Sequence, residues 1–254
     1  MPSNILFLSA VRNRSASIVE SIGSIVSAGF GRLFDFLVIQ DLDKDNLSKG
    51  RFDPQVFNSG TVGRIRIVNV EVGGVFNKCL LLNHGIRHST HRFVVQQDSD
   101  ILFCRQFLLA ALKVCEDDAA LSRLIVTCKY VEMRGMVDFP FRKAGQEAGR
   151  TLLLFRPHVE AVGGYDEQIG MGNEEWDLTF RLKARFGLRF LDLDRLGFAN
   201  LHMTHGGDTR VPGIFGMINR NFEASRRNIA AGLLVANSGG WGVVKPPVYV
   251  EDVV

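Results

Sequence analysis

The sequence has little cysteine, no long apolar run and almost no excess of charge, and each shortage removes a class of protein. Its four cysteines, Cys79, Cys104, Cys115 and Cys128, are scattered without C-x-x-C spacing. Reduced thiols in apolar surroundings of a cytoplasmic protein are therefore expected. No window approaches the roughly 20 apolar residues that span a bilayer. No transmembrane segment is expected, which leaves peripheral contact as the mode of membrane attachment open to the chain. Met1-Pro2-Ser3-Asn4 is not a charged segment followed by an apolar stretch, so no secretory signal is expected. A net charge of +3 is too small to argue for a nucleic-acid partner. Repeats, low-complexity tracts and linkers are absent, as is a G-x-G-x-x-G after the first apolar run, which disfavours the usual dinucleotide fold.

What is present is a regular alternation. At 254 residues, the chain is long enough for one large domain. Apolar runs at Asn4 to Ala10, Phe34 to Ile39, Ile65 to Val70, Phe93 to Gln96, Leu124 to Cys128 and Leu152 to Phe155 read as buried strands. Between them, Ala16 to Ala28, Phe76 to Ile86 and Leu108 to Val114 read as helices. Glu174 to Phe186 is a further helix, with Leu178, Leu182 and Phe186 at i, i+4 and i+8. Asp41 to Asn58 is expected as a polar surface excursion and Met133 to Arg150 as irregular chain. Strands alternating with helices predict an α/β protein with a largely parallel sheet. One domain over 1–254 is expected, with a C-terminal extension from about Gly206.

Four constellations could carry chemistry. Asp98-Ser99-Asp100 follows the apolar run Phe93-Val94-Val95. On a strand, residues i and i+2 share a face, so the two carboxylates are expected to converge on one point. A hard divalent ion such as Mn²⁺ or Mg²⁺ relieves that repulsion, and the alternative is a solvated acidic turn. Arg12-Asn13-Arg14 lies at a βα turn ahead of a helix, where guanidiniums and the helix dipole suit an anion. The other basic pairs, such as Arg64 with Arg66 and Arg226 with Arg227, read as solvated surface. Gly163 to Asp177 places glycines ahead of an acidic first helical turn, Glu174, Glu175 and Asp177. One of these acids could be a general base, while Asp177 could instead pair with Arg181. His202 and His205, beside Gly206 and Gly207, could complete a metal shell.

The order of these pieces resembles a known family. Val11-Arg12-Asn13-Arg14 resembles a Pro-Phe-Arg-Asn-Arg nucleotide-binding segment. Phe76 to Gly85 resembles a Phe-Asn-Arg-Ala helix ending in Leu-Asn-x-Gly. Asp98-Ser99-Asp100 matches an Asp-x-Asp metal motif, and Gly163 to Asp177 resembles Gly-Gly-(Phe/Tyr)-Asp-Glu followed by Gly-x-Glu-Asp-x-Asp-Leu. Together they resemble the inverting, metal-dependent glycosyltransferases of the GT-A fold, nearest the beta-1,4-galactosyltransferases and family 2 enzymes, over roughly residues 4 to 207.

The resemblance implies a nucleotide-binding half over 1–100 and an acceptor-binding half over 101–205. It implies that Arg12, Asn13, Arg14, Phe76 and Lys78 hold the nucleotide, with Asp98 near the ribose or the metal. Asp100 and His205 would bind Mn²⁺ or Mg²⁺, and Gly172 and Glu174 would meet the acceptor. Glu175 falls where the family has its aspartate base. Three positions depart from the pattern: Glu175 replaces aspartate, Met171 replaces a tryptophan and Lys78 replaces an arginine. The base therefore stays open among Glu175, Glu174 and Asp177, and the metal histidine between His205 and His202. The implied reaction moves a sugar from a nucleotide-diphosphate sugar, expected to be UDP-linked, to a glycan or other hydroxyl acceptor. The competing readings are a nucleotidyltransferase, disfavoured by the lack of a glycine-rich, lysine-containing loop after the first strand, and a non-catalytic binding module.

Overall fold

The computed structural model describes residues 4–116, 123–132, 150–203, 214–237, 239–246 and 248–254. The expected irregular stretch from Met133, up to residue 149, and the candidate ligand His205 lie outside the described residues.

The first half builds a parallel sheet. Strand β1 (Ile5–Val11) leads into helix α1 (Ser15–Ser27), then β2 (Asp35–Asp41), β3 (Arg64–Val70), α2 (Lys78–His88) and β4 (Phe93–Gln96). β2 and β4 both pair parallel with β1, and β3 pairs parallel with β2. Alternation sorts the side chains into two layers. Ile5 and Phe7 face a core built on Ile18, Ile22 and Ile25 of α1, while Leu6 and Leu8 face Leu81, Leu82 and Ile86 of α2. Burial on both faces is why these strands read as unbroken apolar runs.

The second half is mixed. After β5 (Ile101–Leu102) and α3 (Arg105–Cys115) come β6 (Leu124–Glu132), β7 (Arg150–Phe155), α4 (Arg156–Ala161) and α5 (Glu174–Phe186). The described chain continues with β8 (Arg189–Asp192), β9 (Asn200–His202), α6 (Ile214–Ala230) and β10 (Val248–Asp252). Strand order is β10-β3-β2-β1-β4-β7-β6-β9-β5, with β8 also on β6. β7 runs antiparallel to both β4 and β6.

Two expectations change in detail. The Asp41 to Asn58 excursion is not wholly solvated: Leu47, Phe52 and Phe57 are buried and join the α1 side of the core. The segment after Gly206 supplies α6, packed on α5, and β10, which adds antiparallel to the edge strand β3.

The chain reverses its direction of travel across the sheet at β1. β2 and β3 build outward on one side of β1 and β4 lies on the other. Open α/β sheets bind ligands outside the carboxyl ends of such neighbouring strands. Arg12 leaves the carboxyl end of β1, and Asp98 follows that of β4.

Candidate active site

β4 stops at Gln96 and the chain turns. Asp98 and Asp100 therefore do not face one point from a strand, as the i, i+2 argument expected. Asp98 Oδ1 lies 2.6 Å from Lys78 Nζ, and Tyr130 Oη donates to its Oδ2 at 3.5 Å. Asp100 turns to β9 instead, with its Oδ2 3.4 Å from His202 Nε2. Strand pairing causes this: β5 sets Ile101 opposite His202, and Met203 N donates to Asp100 O at 2.8 Å. The Tyr130 and His202 rings stack with centroids 6.2 Å apart, so Tyr130 joins the two halves of the turn.

Lys78 opens α2 and is buried. Its ammonium reaches Glu174 Oε1 at 2.6 Å and Glu175 Oε1 at 2.9 Å, besides Asp98. Three carboxylates thus surround one cation. Burial opposes the charge on Lys78, but Asp98, Glu174 and Glu175 together hold its pKa well above the ordinary value. Burial raises Asp98, outweighing the pull of Lys78. For Glu174 burial acts the same way, but Lys78 more than offsets it and the carboxyl titrates low. Glu175 is raised to about 8, first by burial and then by the charge of Glu174. Gln96 donates to Glu175 Oε1 at 3.2 Å. Glu174 Oε2 is buried and has no hydrogen-bond partner among the described residues.

The other expected residues have local duties. Arg12 pairs with buried Asp41, donates to Gly74 O at 2.8 Å and lies 5.6 Å from the centre of the Phe76 ring. It braces the loop between β3 and α2, and its buried Nε has no partner among the described residues. Asn13 takes a left-handed φ of 57°, donates to Asp43 and accepts from Asp45 N. Arg14 is the N-cap residue of α1, and its carbonyl accepts from Ile18 N. Asp177 sits apart from Lys78. Arg181 holds its Oδ2 at 2.6 Å and Ser225 donates to its Oδ1 at 2.7 Å, so it ties α5 to α6. Gly172 has φ 79°, and a Cβ there would lie 2.8 Å from Ile218 Cγ1. Close approach of α6 accounts for this glycine.

Glutamates 174 and 175 are aimed by a glycine turn that α2 and α6 clamp. Asn77 caps α2 by accepting from Leu80 N and donates to Glu167 O at 3.0 Å. Asn83, fully buried, donates to Tyr165 O and Glu167 Oε1 and accepts from Tyr165 N, each at 2.8 Å. Asn221 of α6 donates to the carbonyls of Ile169, Met171 and Gly172. A cleft of about 420 Å³, lined by Arg87, Glu160 and Trp241 among others, shares none of the acid-cluster residues.

Among the described residues no three His, Cys, Asp or Glu side chains are gathered as a metal site. Asp100 and His202 do present an oxygen and a nitrogen donor side by side. Such a pair fits a divalent ion whose remaining positions go to phosphate oxygens and water. Sequence reasoning left His202 as the alternative to His205, and it missed Tyr130 and Gln96 because no local pattern marks them.

No protein-family model matches this sequence, and no curated protein matches it either. Its fold does match solved structures. S. aureus TarS 1-349 aligns at 15% identity with a TM-score of 0.62, over 94% of this chain and 67% of that one. The fold is that of GT-A glycosyltransferases. A longer S. aureus TarS aligns at 15% identity with TM-score 0.61 over 94% of this chain, which spans only 40% of that protein. A mannosyltransferase from Pyrobaculum calidifontis, solved with GDP-Man and Mn²⁺, aligns at 16% identity with TM-score 0.59, over 89% of this chain and 65% of that one. Glucosyl-3-phosphoglycerate synthase from Mycobacterium tuberculosis, solved with Mn²⁺, UDP-glucose and phosphoglyceric acid, aligns at 15% identity with TM-score 0.57, over 92% and 81%. No described helix is long and apolar enough to cross a membrane.

Proposed function

We propose that this protein is a metal-dependent glycosyltransferase that moves a sugar from a nucleotide-diphosphate sugar, UDP-linked by preference, to a hydroxyl of a glycan or glycoconjugate, with inversion. The observation that carries this reading is the convergence of Asp98, Lys78, Glu174 and Glu175 beside the Asp100–His202 pair, at the sheet's switch point. Structural neighbours solved with nucleotide sugars and Mn²⁺ support it.

In this reading Asp100 and His202 would hold Mn²⁺ or Mg²⁺, with Asp98 nearer the ribose or the ion's water and His205 as a further candidate. When bound, the ion supplies positive charge that neutralises the departing diphosphate. Arg12 and Arg14 lie on the β1 side of the switch point, where the nucleotide is placed. Glu174 Oε2 accepts a hydrogen bond from an acceptor hydroxyl, which satisfies the orphan oxygen. Glu175 takes the attacking hydroxyl's proton as that oxygen bonds to the anomeric carbon and the bond to the diphosphate breaks on the opposite face. A carboxyl raised to about 8 is a better proton acceptor, once ionised, than an ordinary glutamate.

Nucleotide release from a panel of UDP- and GDP-sugars, with and without Mn²⁺, tests the proposal. The expected result is metal-dependent release from at least one donor, abolished by Asp100→Ala in a folded protein. No release from any donor, with or without metal, would leave a binding module and overturn the enzymatic reading.

A further inference from the structure

The cleft of about 420 Å³ lies apart from the acid cluster and takes no part in the proposed reaction. Arg87 of α2 and Glu160 of α4 line it, with Asn237, Gly239, Gly240 and Trp241 of the C-terminal segment. Helix α2 connects the carboxyl end of β3 to the amino end of β4, so its two ends lie toward opposite edges of the sheet. Lys78 opens the helix beside the acids, and Arg87 follows nine residues later, about 14 Å along the axis. A ligand in the cleft therefore leaves the acid cluster free.

The walls are held by contacts within the chain. Asn237 Nδ2 donates to Gly163 O at 2.8 Å and to Tyr165 O at 2.6 Å, and its Oδ1 accepts from Glu167 N at 3.2 Å. Ala236 N donates to Val162 O at 3.0 Å. Arg87 Nη1 donates to Trp241 O at 2.7 Å, and the next N–H, that of Gly242, donates to Glu167 Oε1 at 2.6 Å. The indole of Trp241 is packed beside Gly164, where a Cβ would lie 3.0 Å from its Cε3. Gly239 and Gly240 differ from Gly164. A Cβ on either would meet nothing within 4 Å, so both border open space.

The charged groups of the lining decide what fits. Arg87 spends one of its five N–H donors on Trp241. Glu160 gives Oε1 to Arg156 Nη1, and its side chain stays 38% exposed. A guanidinium only donates hydrogen bonds and a carboxylate only accepts them. An anion in the cleft would meet Glu160, and a cation would meet Arg87. An apolar molecule would desolvate both charges and pair neither. A neutral polyol serves both at once, because each hydroxyl donates and accepts. The indole adds a flat surface whose negative face suits the C–H groups of a sugar ring, and the volume is in the range of small-molecule sites. We propose that this cleft is a second saccharide-binding site, where a sugar ring stacks on Trp241 and its hydroxyls pair with Arg87 and Glu160. It needs neither metal nor nucleotide. In a transferase that acts on a glycan it would hold a part of the acceptor distant from the reacting end. That use rests on the proposed function, whereas the binding itself does not.

The chain has two tryptophans, Trp176 and Trp241, so ¹⁵N-labelled protein gives two indole N–H signals, which Trp176→Phe assigns. Maltose, cellobiose, lactose and N,N′-diacetylchitobiose are titrated singly to about 50 mM, without metal or nucleotide. The expected result is a saturable shift of the Trp241 signal with at least one of them, while the Trp176 signal stays in place. Arg87→Ala and Glu160→Ala should each weaken that binding by about tenfold or more, as expected for loss of a hydrogen bond to a charged group. An unchanged Trp176 signal shows that each variant is folded. A Trp241 signal that none of the four sugars moves would overturn the proposal. So would a shift caused by inorganic phosphate and not by the sugars, which would make the cleft an anion site. Movement of Trp176 alone would put sugar binding elsewhere, and variants that bind as the parent does would remove Arg87 and Glu160 from the site; either result overturns the assignment. The titration involves no donor and no turnover, so its outcome is separate from that of the nucleotide-release assay.

Discussion

Three carboxylates around one ammonium leave excess negative charge in a buried place, and Glu175 bears the consequence. Its carboxyl titrates near 8 in the folded protein against 4.5 for an ordinary glutamate. Between those values the folded protein holds a proton that the unfolded chain has lost. Stability therefore falls as pH rises through that window. Glu175→Gln cannot titrate, so urea unfolding without metal should find it more stable than the parent at pH 9, by on the order of a few kcal/mol. At pH 5 the two should converge. An equal difference at both values would mean that Glu175 is not raised. In the proposed reaction the same variant should lower kcat by about 10²–10⁴-fold with donor binding kept. Lys78→Met removes the cation that Asp98, Glu174 and Glu175 share and should cost about 3–5 kcal/mol at pH 8, measured the same way. An effect below 1 kcal/mol would show that the cluster does not depend on it. Asp98, Glu174, Glu175 and Lys78 stand out in the sequence because their types and order form motifs, but Lys78 was expected at the nucleotide and instead pairs with the three carboxylates. His202 against Asp100 and Tyr130 against Asp98 follow from strand pairing across long separations. No local spacing encodes those contacts.

At the scale of elements, legibility followed burial. β1 to β4 and α1 showed in the sequence because strands covered on both faces are continuously apolar and an amphipathic helix repeats its apolar positions. β8 and β9 did not, being short, and neither did β10, whose Val248, Tyr249 and Val250 are all exposed. Their strand character comes from the partner, not from the residues. The coupling of α2 to the glycine turn was equally silent, although it sets where Glu174 and Glu175 begin their helix. Asn83 carries that coupling through three hydrogen bonds. In Asn83→Ala the Tyr165 carbonyl keeps Asn237, but Tyr165 N is left buried without an acceptor and the Glu167 carboxylate loses a donor. The expected cost is about 2–4 kcal/mol in chemical unfolding, from an orphaned buried donor plus lost bonds. A change under 0.5 kcal/mol would mean that the C-terminal segment holds the turn without α2.

The whole molecule separates a closing edge from a reacting one. β10 lies at one end of the sheet order, and β3, β2 and β1 intervene before β4 leads to Asp98. Each residue of β10 pairs antiparallel with β3, Val248 with Val70 through to Asp252 with Arg66. Beyond the strand, Val253 is buried in the α1 layer, and its N–H donates to Ile65 O at 2.9 Å. Glu251 Oε1 accepts from Lys49 N at 3.0 Å, so β10 also pins the excursion after β2. Removing residues 248–254 would expose β3 as a seven-residue edge containing Ile65, Ile67 and Val68. Long apolar edges recruit other chains. The truncated protein should therefore unfold at lower urea concentration and form concentration-dependent aggregates on size exclusion. Its monomeric fraction should keep metal-dependent nucleotide affinity within about threefold of the parent (under 1 kcal/mol), because three strands separate β10 from β4 and the acids that follow it. Calorimetry on that fraction decides the point. Loss of nucleotide binding in a folded, monomeric truncation would mean that the edge strand and the acid cluster form one cooperative unit, and that the separation drawn from the strand order is wrong.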